Sequence, residues 1–417
     1  MNRRIFTIFM IIFTNILGAG VILPVLPLIA VGQFGATIQQ ATLIATAFFT
    51  AQFLAAPWLG KLSDQYGRRP ILIISQIGTV LSFVMFTFAA PLGKIIEGTG
   101  FSIGISGGLL ILFIARTLDG LTGGNITTAR AYVSDISRPE DLTQALGMLT
   151  AAFGLGFIFG PALGGFLAQI NITAPFIGAA VITTFTLILT LITLKESLTP
   201  ENRVLTPAKK KGGVLQTLRT SPNFIYPLTI GFVQTLAFSA IPPTFALYAD
   251  RVLFPGLSGA EVSRNVGYML ASFGIVTVLT QLTLIKPMVR KYGERNLIFI
   301  GSILLMISLA SIPYATSALV VILIFAPSSI GRGLLDPSLQ SITTRFGDRK
   351  VQGKLLGIYQ SSLSLAFIFG PIWSGYVFEK ISPGAVFTVG ALIMIPGILL
   401  SLALKKVDFA EIFSKSG

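Results

Sequence analysis

Two short stretches place an arginine and an aspartate inside segments that are otherwise apolar. The first is Arg116-Thr117-Leu118-Asp119, with its charges at i and i+3. The second is Arg332-Gly333-Leu334-Leu335-Asp336, with its charges at i and i+4. On a helix either spacing puts both side chains on one face. A lone charge at the centre of a bilayer costs about 3 kcal/mol on insertion scales, so such residues need partners or a task. The chemistry open to them is proton binding. The chain has no His and no Cys, which removes the usual zinc sites, thiol catalysis, disulfides and histidine relays, so a proton carrier must be a carboxylate. Two readings fit. In one, each pair is an intrahelical ion bridge that only neutralises itself. In the other, Asp119 is held by Arg116 in one conformation and released to take up a proton in another, with Asp336 and Arg332 as the second candidate pair. A carboxylate held by a guanidinium resists protonation and one left in apolar surroundings resists ionisation, so alternation between the two would load and unload a proton.

The elements that must position these residues follow from composition. Of 417 residues 53% are hydrophobic and 11% are charged, and the mean hydropathy is +0.82. A soluble chain of this length needs far more charge to cover its surface, so this is an all-α polytopic membrane protein whose bulk faces lipid or other helices. The formal charge of +14 is unevenly placed. With the spans given below, the outside loops hold only Lys94, Arg251, Arg264 and Lys380, two arginines lie within spans, and the remaining lysines and arginines fall in inside loops and termini. That is positive-inside bias rather than a nucleic-acid surface, and it predicts a multi-pass protein of the cell inner membrane with both termini cytoplasmic. The bilayer is the expected partner, and nucleic acid is not.

The pattern predicts twelve transmembrane helices, at about 5–31, 39–60, 70–91, 107–133, 142–168, 175–194, 223–249, 262–286, 296–314, 318–344, 353–379 and 384–404. Residues 60–70 read as a charge-dense inside loop. The longest polar break carries Lys209-Lys210-Lys211, so the chain divides into an N-terminal six-helix bundle (1–195), a cytoplasmic linker (196–222) and a C-terminal six-helix bundle with a short tail (223–417). The halves repeat each other. Phe157-Ile158-Phe159-Gly160-Pro161 recurs as Phe367-Ile368-Phe369-Gly370-Pro371, and Tyr66-Gly67-Arg68-Arg69 has a faded copy in Tyr292-Gly293-Glu294-Arg295. Ordered, evenly spaced copies mark a duplicated bundle, with substrate expected near the midplane.

Within the fifth span Gly156, Gly160 and Gly164 recur at every fourth position, beside Pro161 and Gly165. Such a row leaves one helix face flat, so that backbones approach closely. Polar residues scattered in apolar spans, Asn15, Gln52, Asn125, Gln234 and Gln340, either contact cargo or form hydrogen bonds between helices. With 33 Phe, part of the cavity wall is aromatic, which favours bulky amphipathic compounds over sugars.

The stretch Gly60-Lys61-Leu62-Ser63-Asp64-Gln65-Tyr66-Gly67-Arg68-Arg69-Pro70 closely resembles the signature that the major facilitator superfamily carries between its second and third transmembrane helices. The resemblance implies two pseudo-symmetric six-helix bundles. It also implies that Gly60, Asp64, Gly67, Arg68 and Arg69, with Asp135 at the inner end of helix 4, form a conformational switch rather than a substrate site. Gly154 to Gly165 resembles the motif of proton-coupled antiporters, and Arg116 matches the basic residue of a further motif implicated in proton transfer. Residues 116–165, with Ala131-Tyr132-Val133-Ser134-Asp135 and Lys195-Glu196-Ser197, resemble the tetracycline/proton antiporter branch of the twelve-helix drug exporters. The chain departs from that branch at Asn15 and near Ser82, where the branch has aspartates, and in lacking its histidine. The resemblance therefore implies an alternating-access transporter, not an enzyme. It would exchange protons for a small amphipathic molecule, exported as a tetracycline-like or multidrug cargo, and would act singly, without cofactor or metal. Two alternatives stay open: a facilitator or proton symporter for a metabolite such as a sugar or organic acid, and a lipid or glycolipid exporter.

Overall fold

A computed structural model of the chain describes residues 3–100, 104–138, 141–198, 201, 203, 214–347 and 351–405. Lys209 to Lys211 lie outside the described residues. Among these, every regular element is helical. In chain order the helices are α1 (Arg3–Ile22), α2 (Leu26–Gly32), α3 (Ile38–Tyr66), α4 (Arg68–Thr87), α5 (Ala89–Gly98), α6 (Gly107–Thr122), α7 (Ile126–Ile136), α8 (Leu142–Leu167), α9 (Ala174–Thr193) and α10 (Val214–Thr220). There follow α11 (Ile225–Phe238), α12 (Ile241–Tyr248), α13 (Gly259–Leu279), α14 (Ile285–Ser311), α15 (Ala318–Thr344), α16 (Gln352–Lys380) and α17 (Ala385–Leu404).

Eleven helical stretches among the described residues are long and apolar enough to cross a membrane. One of them, Gly259–Tyr314, runs for 56 residues and is interrupted at Gly293, whose φ of 74° and ψ of 156° are not helical. Counting its two limbs separately gives the twelve spans of a multi-pass membrane protein. Only helices satisfy their own backbone groups in hydrocarbon, which is why apolar runs of this length fold in no other way. Their starts are written locally. Thr37 and Gln40 form a reciprocal capping box at α3, with Gln40 N donating to Thr37 Oγ1 at 3.1 Å and Thr37 N to Gln40 Oε1 at 2.9 Å.

Several boundaries differ from the sequence expectation. The predicted loop at 60–70 is almost entirely helix: α3 continues through Gly60 to Tyr66 and α4 starts at Arg68, so Gly67 alone makes the turn. Charged side chains there mark the water-facing edge but do not unwind a helix whose backbone bonds are internal. The predicted spans at 5–31 and 107–133 are each broken, the first at Leu23–Val25 ahead of Pro27 and the second at Gly123–Asn125.

The structure divides into two compact units, Met1–Pro207 with Pro243–Ala271, and Ala208–Pro242 with Ser272–Gly417. In the first, α1 packs along α8. A cluster of buried side chains, including Ile8, Ile11, Ile12, Tyr132, Leu149 and Leu194, fills one end. The small-residue row does the rest. A methyl group at Gly156 would lie 2.9 Å from Phe13 O, and one at Gly160 would lie 2.7 Å from Leu17 O; at Gly164 it would run into Val21 O. Each of these glycines therefore faces the α1 backbone one turn further along. Gly165, turned to the other side, faces Ser263 O, where a methyl would come within 2.6 Å, and Ser263 Oγ donates to Pro24 O at 3.1 Å. In the second unit the repeated segment behaves alike: Ser239 Oγ donates to Ala366 O at 3.0 Å and presses on Gly370.

This packing predicts opposite outcomes for two alanines in one helix. Gly160→Ala should destabilise the folded protein by about 1–3 kcal/mol through overpacking. Gly147→Ala, where an added methyl meets nothing within 4 Å, should be neutral or stabilising by up to about 1 kcal/mol. Thermal unfolding of the purified variants in detergent checks both.

Candidate functional site

In the first unit, α6 carries Arg116 and Asp119 inward, with side chains only 6% and 7% exposed. Arg116 Nη1 donates to Asp119 Oδ2 at 2.8 Å, and Thr79 Oγ1 from α4 donates to Asp119 Oδ1 at 3.3 Å. The guanidinium carbon sits 4.2 Å from the centroid of the Phe48 ring on α3. Gly120 lets α3 approach closely enough for that stacking, because any side chain there would strike Phe48 O. Both oxygens of Asp119 are thus engaged, by groups from two helices, while Arg116 Nε is buried without a hydrogen-bond partner. The pair is sealed.

The second unit repeats the arrangement on α15. Arg332 Nε donates to Asp336 Oδ2 at 2.9 Å, and the guanidinium carbon lies 4.2 Å from the Phe238 ring centroid on α11. Phe238 continues into Phe273 at 5.6 Å and Phe325 at 5.9 Å between ring centroids. Closure differs, since the Arg332 and Asp336 side chains are 13% and 33% exposed.

A third cluster surrounds Gly67. Arg68 Nη1 donates to Asp64 Oδ1 at 2.5 Å and to Ser63 Oγ at 2.9 Å, and Arg68 Nε donates to Asp135 Oδ2 at 3.3 Å. Ser197 Oγ also donates to Asp135, at 2.9 Å. The side chain of Glu196, just beyond α9, accepts from the backbone N–H of Arg68 at 2.8 Å and of Arg69 at 3.1 Å. Gly67 takes φ 107° and ψ 161°, a region that favours glycine, and a side chain there would collide with Glu196. Arg69 reaches back to Leu191 O at 3.0 Å. Gly60, about two turns before Gly67 on α3, has open space around it. The copy in the second unit keeps the shape and inverts the charges: Glu294, directly after Gly293, pairs with Arg345 at 2.7 Å and accepts from Ser341 Oγ at 2.7 Å.

The family model described as Major Facilitator Superfamily matches residues 8–260 and 244–412, nearly the whole chain. The chain belongs to the major facilitator superfamily. It is a transporter, not an enzyme, and acts on a small molecule across a membrane. The chain is 29% identical over 387 residues to the class H tetracycline resistance protein of Pasteurella multocida, covering 91% of this chain and 90% of that protein. It is also 29% identical over 412 residues to multidrug resistance protein 2 of Bacillus subtilis (strain 168), covering 96% of each. Among solved structures, the human organic anion transporter MFSD10 (TETRAN) superposes with a TM-score of 0.66 at 21% identity, covering 96% of this chain and 99% of that one. At that identity the likeness shows the fold.

The polar residues of this facilitator-type transporter divide into satisfied and unsatisfied. Asn15 Nδ2 donates to Asn125 Oδ1 at 2.7 Å, joining α1 to the break between α6 and α7, and Gln52 Nε2 donates to Gly123 O at 3.2 Å beside the same break. Ser82 bonds only its own helix, through Gly78 O. Gln340 is exposed. Gln234 is 1% exposed, with neither amide atom partnered. Sequence reasoning did not single out Thr79, Phe48 or Phe238 as partners of the pairs, nor Glu196 as the acceptor for the first amides of α4. The stretch Lys195-Glu196-Ser197 stands out locally, but no spacing ties Glu196 to Arg68, which it meets from 128 residues away.

Glu196 is a helix cap supplied from a distance, so Glu196→Ala should cost about 1–2 kcal/mol. Gly67→Ala should cost more, because it adds backbone strain to the clash. Melting temperatures in detergent, with the rate of protease cleavage near residue 67, check the order.

Proposed function

We propose that this transporter works by alternating access as a proton-driven exporter of lipophilic or amphipathic compounds, tetracycline-like or multidrug in character. Its place would be the cell inner membrane, with both termini cytoplasmic, acting as a monomer. The observation that carries the reading is the sealed Arg116–Asp119 pair in a membrane-spanning helix. A carboxylate there is costly unless partnered, and its partners come from different helices, α6 and α4, so a shift of one against the other changes what Asp119 can hold. Arg116 and Thr79 both donate to it and so favour its charged form. When α4 carries Thr79 away and the Asp119 side chain turns off Arg116, it takes a proton from the side then open to water. Arg116 stays fixed throughout by its stacking on Phe48, so relaxation of the pair requires movement at Asp119 and α4 rather than swinging of the guanidinium.

The other features support the same reading. The names of two relatives, a tetracycline resistance protein and a multidrug resistance protein, point to efflux of bulky amphipaths. The small-residue row of α8 gives a flat seam with α1 on which helices can shift without losing contact. The Asp64–Arg68–Asp135 network, with Asp64 49% exposed, is held at one end by Glu196. It can open and close its outer bonds while the start of α4 stays capped, which suits a switch.

Proteoliposomes with an imposed pH gradient test the reading. Asp119→Asn should abolish uphill, proton-driven transport of an amphipathic substrate while downhill exchange persists. Thr79→Val should retain both, with coupling weakened. Unchanged uphill transport by Asp119→Asn removes Asp119 from the coupling step.

A further inference from the structure

The two glycine turns hold nearly the same backbone conformation, yet the space beside them is filled differently. At Gly67 a side chain would collide with Glu196, whose carboxylate accepts from the first two amides of α4. At Gly293 an added methyl meets nothing within 4 Å, and an open groove of about 270 Å³ lies there. Its walls are Tyr292 to Asn296 of α14, with Ile342 and Arg345 at the end of α15. The one acid in the groove is already spent: Glu294 is 12% exposed, with Oε2 on Arg345 Nη2 and Oε1 on Ser341 Oγ, each at 2.7 Å. Arg345 is not spent. Its side chain is 50% exposed, and Glu294 occupies Nη2 alone. Arg295 adds a second positive charge, its Nη1 donating to Lys405 O at 2.9 Å. The rim is basic too, since Lys286, Arg290 and Lys291 are exposed and residues 285–300 hold no acid but Glu294. Charge at this density belongs at the water-facing edge of the membrane. Along α14, Leu284, Met288 and Tyr292 recur at every fourth position, with Leu284 and Tyr292 exposed. An apolar strip thus leads up to the groove.

We infer that this groove binds the phosphodiester of an anionic phospholipid, with an acyl chain lying along Leu284 and Met288. The inference is independent of the cargo and of proton coupling. In the first half the chain supplies the anion beside the turn itself, as Glu196; in the second half the anion comes from the bilayer. Three features choose the ligand. The groove is smaller than the roughly 300–1,000 Å³ of sites that enclose a drug-sized molecule, so it takes a headgroup rather than a whole amphipath. Guanidinium nitrogens match phosphate oxygens in geometry as well as in charge. The apolar strip offers nothing to a free anion and a resting place to an acyl chain. Each cation close to a membrane surface favours anionic lipid by about fivefold, and Arg345 is placed to act inside the groove rather than through the diffuse field. A phosphate bound there joins the second limb of α14 to the end of α15, as Glu196 joins the end of α9 to the start of α4.

The test uses the full-length protein in an uncharged detergent, titrated with phosphatidylglycerol or phosphatidylcholine carrying the same fluorescent acyl chain. Wild type should bind phosphatidylglycerol at least about fivefold more tightly. Arg345→Gln should remove about fivefold of that preference, whereas Glu294→Gln, which takes the acid out of the groove and leaves Arg345 in place, should add about as much. A merely structural ion pair would be broken by either change and would move both variants the same way, so a common direction overturns the site. Lys61→Gln, at an exposed cation of the first unit, should leave the preference unchanged; a loss equal to that of Arg345→Gln overturns the groove in favour of diffuse charge. Equal affinity of wild type for the two lipids overturns it outright. Inorganic phosphate should displace the labelled phosphatidylglycerol far less well than a short-chain phosphatidylglycerol does, and equal displacement overturns the lipid as ligand in favour of a free anion. Preference that appears only in a chain ending at Lys405 overturns it in favour of an anion supplied by the chain itself.

Discussion

A charge in hydrocarbon must be answered by another charge, and most of what is specific in this chain follows from how each one is answered. An isolated arginine or aspartate at the middle of a bilayer is costly, so the two that occur in α6 and the two in α15 arrive as pairs on one helix face. Pairing alone would be inert. What makes the pairs different is the third party. Thr79 completes the shell of Asp119, whereas Asp336 keeps a third of its surface open. Phenylalanine is the common element: Phe48 and Phe238 each hold a guanidinium at 4.2 Å, supplying a face that attracts cations without supplying an anion that would lock them. An arginine so placed is fixed in position while its partner remains free to change.

Close packing answers a second constraint. Inside a membrane the apolar effect that drives soluble helices together is absent, because lipid tails are as apolar as leucine. Contact must come from surfaces that fit. The row Gly156, Gly160, Gly164 lets α8 run against the α1 backbone over about two turns, and Gly165 gives a second close approach on another side of the same helix. A helix with two flat sides held by backbone contact is stiff across its axis and smooth along it.

These features were unequally legible in the sequence. The pairs were readable because i,i+3 and i,i+4 spacing is local and helix geometry converts it directly into a shared face. The glycine row was readable for the same reason, as was the fold, since long apolar runs have one backbone solution in lipid. Contacts made by tertiary approach were not. Glu196 and Arg68 meet across 128 residues, and no period connects them. The charged stretch from Gly60 to Pro70 reads as a loop in the sequence, because charges broken by glycines suggest irregular backbone. At a membrane edge, polarity reports solvent, and the helix continues until a residue, Gly67, turns the chain. Asn15 and Gln52 show the same difficulty: the residue type was visible, but whether a neighbouring helix had already claimed it was not.

The duplicated turn at Gly67 and Gly293 shows which part of a motif the backbone keeps and which it lets go. Gly67 and Gly293 hold nearly the same conformation, φ 107° with ψ 161° and φ 74° with ψ 156°, because each reverses a helix edge in a region that other residues enter only with strain. The residue that follows has changed sign, from Arg68 to Glu294, and its partner has changed with it, from Asp135 to Arg345. Exchanging both signs leaves the attraction between them intact but alters how the first residue sits on its helix. The positive start of a helix disfavours an arginine and favours a carboxylate. In the first half Arg68 occupies that start, and Glu196 brings a carboxylate from elsewhere to hold the two first amides. In the second half Glu294 carries the carboxylate to the helix start on the chain's own next residue. The carboxylate at the helix start thus comes from a distant residue in one copy, and in the other belongs to the adjacent residue, whose oxygens are taken by Ser341 and Arg345. The two copies differ in how far a disturbance at the turn must travel, with α9 tied to the first and α15 to the second.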